Sequence, residues 1–139
     1  MPKTRQIFIN VPSRDIKKST EFYQALGFTK NEMFSDEKAS CMVWGDNIYL
    51  MVLSANFFAS FIDGKKVIDA TKTAGVTLCV PMSSRAEVDE FATTAVANGG
   101  RAFESENAAA ESSMYSVSVE DPDGHIWEPL YMDMGENNA

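Results

Sequence analysis

A chain of 139 residues suits one domain or two very small fused modules, and with 45% hydrophobic and 23% charged residues its composition is that of an ordinary soluble protein. No apolar run approaches the roughly 20 residues that span a bilayer, and the start, Met1-Pro2-Lys3-Thr4-Arg5, leads into a strand with no secretory signal pattern. A net charge of −8, with the basic residues scattered, disfavours nucleic-acid backbones and anionic membranes and points to a small-molecule or protein partner.

The first element is a strand over residues 5–11, with Ile7, Ile9 and Val11 on one face and Gln6, Phe8 and Asn10 on the other. Pro12 is expected to end it, since proline offers no ladder donor. A helix follows from about Arg14 to Leu26, with Ile16, Thr20, Tyr23 and Leu26 facing inward, Phe22 beside them and Gly27 as its stop. Three strands come next, at about 28–34, 39–44 and 47–53, the last two joined by a tight turn at Gly45-Asp46-Asn47. The third is almost wholly apolar, as a strand is when both faces are covered or when one lines an apolar cavity.

Residues 54–74 form a linker with a short helix carrying Phe57, Phe58 and Phe61 and a turn at Asp63-Gly64. These three rings need cover, either from the chain's own sheet, which is the favoured reading, or from a second copy.

The pattern then repeats. Gly75-Val76-Thr77-Leu78-Cys79-Val80-Pro81 echoes Gln6 to Pro12, and Phe91 falls at the offset of Phe22 in the next helix, Arg85 to Ala97, which opens with a Ser84/Glu87 capping box. A short strand at 101–104, a polar loop at 105–111, a strand at 112–119, a turn at Asp121-Pro122-Asp123-Gly124 and a strand at 125–132 complete the copy, and the polar tail 133–139 is expected to fray. The order is β-α-β-β-β, linker, β-α-β-β-β: an α+β protein built from tandem βαβββ modules as a curved mixed sheet with a groove. Cys41 and Cys79 both sit in apolar strand-like runs and read as buried free thiols in a reducing, cytoplasmic compartment.

Two stretches carry a family resemblance. Asn10 to Phe28, ending in Phe22-Tyr23-Gln24-Ala25-Leu26-Gly27-Phe28, and Asp121-Pro122-Asp123-Gly124-His125-Ile126-Trp127-Glu128 resemble signatures of the vicinal oxygen chelate superfamily, which holds glyoxalase I, the bleomycin-resistance proteins and extradiol dioxygenases. That fold hosts many chemistries. In its metal-dependent members four strands each point a His, Gln or Glu at a divalent metal such as zinc, nickel, manganese or iron. The resemblance puts those positions on Gln6, on Tyr49 or Met51, on Gly75 and on Glu128. Only Gln6 and Glu128 match a ligand type.

Two functions therefore compete. The favoured one is a bleomycin-resistance-like protein that binds a cationic or aromatic small molecule through Phe8, Asn10, Tyr49 and Met51, with Trp44 as a further candidate, and without the full ligand set. The alternative is a metal-dependent lyase or isomerase of the lactoylglutathione lyase type, with Gln6 and Glu128 as ligands and Glu128 as general base. The resemblance also implies a homodimer. His125, on the face opposite Glu128, reads as a surface or second-layer residue.

Overall fold

The computed structural model describes residues 4–105 and 113–133. Most of the predicted polar loop and all of the tail after Asp133 fall outside that range. Two sheets follow one after the other in the chain. In the first, β1 (Ile7–Ser13), β2 (Thr29–Asn31), β3 (Ala39–Gly45) and β4 (Ile48–Ser54) lie in the order β1-β4-β3-β2, with β1 parallel to β4 and the other pairs antiparallel. Helix α1 (Ile16–Ala25) crosses over between β1 and β2, and α2 (Ala55–Ala59) opens the linker.

In the second sheet, β5 (Thr77–Pro81), β6 (Arg101–Phe103), β8 (Ser118–Glu120) and β9 (Ile126–Met132) repeat that order as β5-β9-β8-β6, with β5 parallel to β9 and β7 (Met114–Ser116) also on β9. Helix α3 (Arg85–Ala97) is its crossover. The two copies seen in the sequence thus share one topology.

Both helices start as their sequences dictate. Asp15 caps α1 by accepting from the Lys18 amide, and Ser84 caps α3 by accepting from the Glu87 amide. The Glu87 carboxylate accepts from the Ser83 hydroxyl, so the cap is a variant of the expected box.

Three expectations change. Pro12 does not end β1; the strand runs on to Ser13. Because β1 is an edge strand and the Pro12 carbonyl is taken from outside the sheet by His125, the missing donor also faces outward and no ladder bond is lost. The strand expected at 112–119 is split into β7 and β8. Both halves keep one register on β9, and the gap falls opposite Pro129, which has no N–H to give. The strand expected to reach residue 34 stops at Asn31, where a 3-10 turn over Glu32–Phe34 begins under an Asn31 side-chain cap.

One core serves both copies. Phe22, Tyr23, Phe28, Met42, Leu50 and Val52 from the first pack in the same cluster as Val80, Phe91, Ala92, Ala95, Val119 and Trp127 from the second. Tyr23 is its centre, with Phe22, Phe28 and Trp127 edge-on at 5.0, 5.1 and 5.8 Å between ring centroids.

The repeats are also tied by buried polar groups. The Tyr23 hydroxyl donates to Asp121 Oδ2 at 2.5 Å and accepts from Trp127 Nε1 at 2.9 Å. Asp121 Oδ1 accepts from the backbone amides of Asp123 and His125. Asp123 in turn accepts from the Arg14 amide through Oδ1 and from the Ser19 hydroxyl through Oδ2. Since Ser19 spends its proton on Asp123, Ser13 donates to Ser19 at 3.0 Å. Gly124 closes the turn at φ +98°, and a Cβ there would lie 2.6 Å from the backbone of Ala70 and Thr71, so the linker seats directly on it.

Replacing Tyr23 with Phe leaves the Trp127 N–H and an Asp121 oxygen without their partner. We expect a loss of about 2–4 kcal/mol in urea unfolding at neutral pH. A change below about 0.5 kcal/mol, the level of an ordinary surface substitution, would contradict this role.

Candidate functional site

Alternation along the strands decides which side chains leave the core. On β1 and β4, Ile9, Val11, Leu50 and Val52 pack inward, so Phe8 and Asn10 face outward with their register partners Tyr49 and Met51. Phe8 and Tyr49 stack with ring centroids 4.4 Å apart and planes within 8°. Phe8 remains 52% exposed, so one aromatic face stays open to solvent. Gln6 Nε2 donates to the Tyr49 hydroxyl at 3.1 Å, and that hydroxyl donates to the Asp46 carbonyl at 3.0 Å, which fixes the pair at its upper rim.

The structure therefore brings Gln6, Phe8 and Tyr49 together, with Asn10 and Met51 as the next pair down the same face. Trp44 does not join them. It packs against Phe28 at 4.7 Å and Phe91 at 6.4 Å, because the next residue after outward-facing Val43 turns to the core side.

Glu128 sits on the other sheet. Trp127, its neighbour in β9, points to the core to reach Tyr23, so Glu128 faces the opposite way beside its β5 partner Cys79. Cys79 is exposed, which corrects the expectation of two buried thiols; only Cys41 is buried. In β5 the inward positions are Leu78 and Val80, and Cys79 falls between them on the open side. Burial pushes the Cys41 thiol above its usual value, and burial together with the Glu128 carboxylate pushes up Cys79. Neither is an activated nucleophile.

His125 is half-buried and bridges the copies: its Nε2 lies 2.8 Å from the Pro12 carbonyl, an acceptor only, so Nε2 carries the proton. In the polar knot beneath, burial raises Asp121, and burial followed by the adjacent Asp121 charge raises Tyr23 well above the ordinary phenol. The phenol thus keeps the proton it donates.

The resemblance to metal-dependent members of the vicinal oxygen chelate superfamily implies a divalent metal, and the residues present do not fit one. Of the four positions, the second offers only Tyr49 or Met51, poor ligands for a hard cation, and the third is Gly75, which has no side chain, so one amide and one carboxylate remain, Gln6 and Glu128. Among the described residues no group of three or more His, Cys, Asp or Glu side chains is placed to hold a metal ion.

Two cavities flank His125. One, of about 170 Å³, lies between the open edge of β1, the linker and the start of β9, and of the expected ligand-binding residues only Asn10 lines it. The other, of about 260 Å³, carries Arg14, Asp69 and Asp123, with Arg14 Nε 3.5 Å from Asp123. No alternation or spacing signal in the sequence marks either, because the linker that walls them has no periodicity.

Comparison with solved structures settles the architecture. A hypothetical protein from S. aureus superimposes with a TM-score of 0.75 at 20% identity, covering 94% of this chain and 95% of its own. A glyoxalase/bleomycin resistance protein/dioxygenase family enzyme from Burkholderia phytofirmans gives 0.73 at 16% identity, covering 93% and 99%. The chain has the glyoxalase/bleomycin-resistance fold. This is the fold of the vicinal oxygen chelate superfamily that the two signatures resemble. A bleomycin-binding protein complexed with bleomycin shares it, with a TM-score of 0.60 at 20% identity over 92% of this chain and 98% of that one. Residues 5–45 match the family model of the bleomycin resistance protein-like N-terminal region. Comparison with curated protein sequences gives no match. No helix among the described residues is long and apolar enough to cross a membrane.

Removing the Glu128 charge should lower the Cys79 thiol toward its usual value. We expect Glu128→Gln to speed iodoacetamide alkylation of the native protein at pH 8 several-fold at Cys79, with Cys41 reacting only on unfolding. Equal rates in the two proteins, read by peptide mass mapping, would contradict the placement of Glu128 beside Cys79.

Proposed function

We propose that this protein is a small-molecule binding protein of the bleomycin-resistance type, which takes a planar cationic or aromatic ligand on the face built by Gln6, Phe8, Asn10, Tyr49 and Met51 and needs no resident metal. The observation that carries this reading is the parallel Phe8–Tyr49 stack with Phe8 still half-exposed. A flat ligand extends that stack, and Met51 offers a polarizable edge. The net charge of −8 draws cations toward the surface. The bleomycin-binding protein that shares the fold, solved with bleomycin, supports a ligand-binding use of this architecture.

The metal-dependent lyase alternative rests on Gln6 and Glu128. It has less support, because the other two ligand positions hold Tyr49 or Met51 and Gly75, none of which suits a hard divalent cation.

Proflavine, a planar cation, is a direct probe. Its fluorescence should titrate saturably, Phe8→Ala should weaken binding about tenfold, the scale of one lost stacking contact, and EDTA should leave the affinity unchanged. No saturable binding, or loss of binding with EDTA, would sink this reading.

Assembly as a homodimer is supported by a different surface. Ile7 and Ile48, register partners at one end of β1 and β4 on the side opposite Phe8 and Tyr49, are 54% and 41% exposed, an apolar patch suited to cover by a second copy. Sedimentation at micromolar concentration should report a dimer; a monomer would count against it.

A further inference from the structure

The cavity at the junction of the repeats is a second candidate site, which meets the aromatic face only at Asn10. Its walls come from three sources: Val11 on the edge strand, Phe58, Ile68 and Val76 from the linker and its end, and Ile126 at the start of β9. No Asp, Glu, Lys or Arg lines it; its polar side chains are Asn10, Thr73 and His125. Its volume of about 170 Å³ has room for one benzene-sized ring, and it opens to solvent on the side of Val76, which is 68% exposed.

The polar groups narrow the chemistry. His125 donates from Nε2 to the Pro12 carbonyl, and in the tautomer that carries its proton there Nδ1 is the acceptor. The Asn10 and Thr73 side chains are exposed and meet water. A ligand that donates one hydrogen bond and is otherwise apolar satisfies this cavity. An ionic ligand finds no Asp, Glu, Lys or Arg partner among these walls.

The cavity is also held in shape. The linker backbone at Ala70–Thr71 sits against Gly124 so closely that no Cβ fits between them, and the turn carrying Gly124 is fixed by Asp121. Gly75 lines the same space. Its φ is not positive and a Cβ there would meet nothing within 4 Å, so neither backbone nor packing requires glycine. The position where the family resemblance implies a third metal ligand opens onto this cavity with no side chain at all.

From this geometry we infer that the junction cavity binds a small neutral aromatic hydroxy compound of phenol size, its ring among Val11, Phe58, Ile68 and Val76 and its hydroxyl on His125 Nδ1.

Amide shifts of the ¹⁵N-labelled full chain, titrated with phenol and with toluene, test this directly. Phenol should shift Gly75, Val76, Gly124 and Ile126 saturably, with a Kd on the order of 0.1–1 mM. Toluene has the same number of heavy atoms and no donor, so it should bind at least tenfold more weakly. Ala74→Phe should abolish the phenol shifts by filling the space, and Val76→Phe serves the same purpose if the first variant does not fold. Absence of saturable shifts, equal affinity for toluene, or survival of the shifts in a folded filled variant would overturn the inference. Shifts centred on Phe8 and Tyr49 would overturn it too and would assign phenol to the aromatic face. Failure of proflavine to bind, by contrast, leaves this result untouched.

Discussion

The structure depends on a buried hydrogen-bond chain that runs from one repeat into the other: Trp127 Nε1 to the Tyr23 hydroxyl to the Asp121 carboxylate, continued by Asp121 to the amides of Asp123 and His125, and by Asp123 to Ser19 and Arg14. Tyr23 belongs to the first signature, and Asp121, Asp123 and Trp127 to the second. The two motifs that carry the family resemblance are therefore the two halves of one lock. The direction of the chain matters: the indole and amide groups only donate and the carboxylates accept, so the hydroxyl in the middle is the one group able to serve both sides. Tyr23, Asp121 and Asp123 are all nearly inaccessible, so each partner left unmatched would be stranded without water.

This lock also sets which side chains are available for function. Trp127 must point inward to reach Tyr23, so Glu128 must point out, on the sheet of the second repeat. Gln6, Phe8 and Tyr49 project from the sheet of the first, and the register of β1 on β4 sets Asn10 and Met51 below them. Gln6 and Glu128, the residues offered for metal chemistry, stand one on each sheet with no suitable ligand at the other two positions, while those offered for ligand binding share one face. The Phe8–Tyr49 stack is the most organised element on that face, and it suits stacking better than Lewis-acid chemistry.

Much of this was legible in the sequence for a physical reason. Alternation of Ile9 and Val11 against Phe8 and Asn10 sorted core from face correctly, with Ile7 left exposed at the start of the strand, and the repeat of Val-Pro and of Phe22/Phe91 gave the doubled topology, because local patterning is dominated by which side is buried. What it missed depended on neighbours far along the chain. Pro12 reads as a strand breaker unless β1 is known to be an edge. Pro129 interrupts the pairing with β9 and so divides one strand into β7 and β8, a consequence carried by the partner strand. Asp121 and Asp123 read as turn formers, which they are, with no local sign that their carboxylates are buried against Tyr23, Ser19 and Arg14. Cys79 was misplaced because Leu78 and Val80 made the run look uniformly apolar.

The central claim is that the two repeats form a single cooperative body locked through Asp121 and Asp123. Native-state hydrogen exchange tests it most directly, at the amides of Arg14, Asp123 and His125, whose acceptors are those two carboxylates. The account predicts that all three exchange only through global unfolding, with the same opening free energy and denaturant slope as the core amides of β4 and β9. Exchange of these amides through a smaller opening, while each sheet stays protected, would show that the repeats separate on their own and would contradict it.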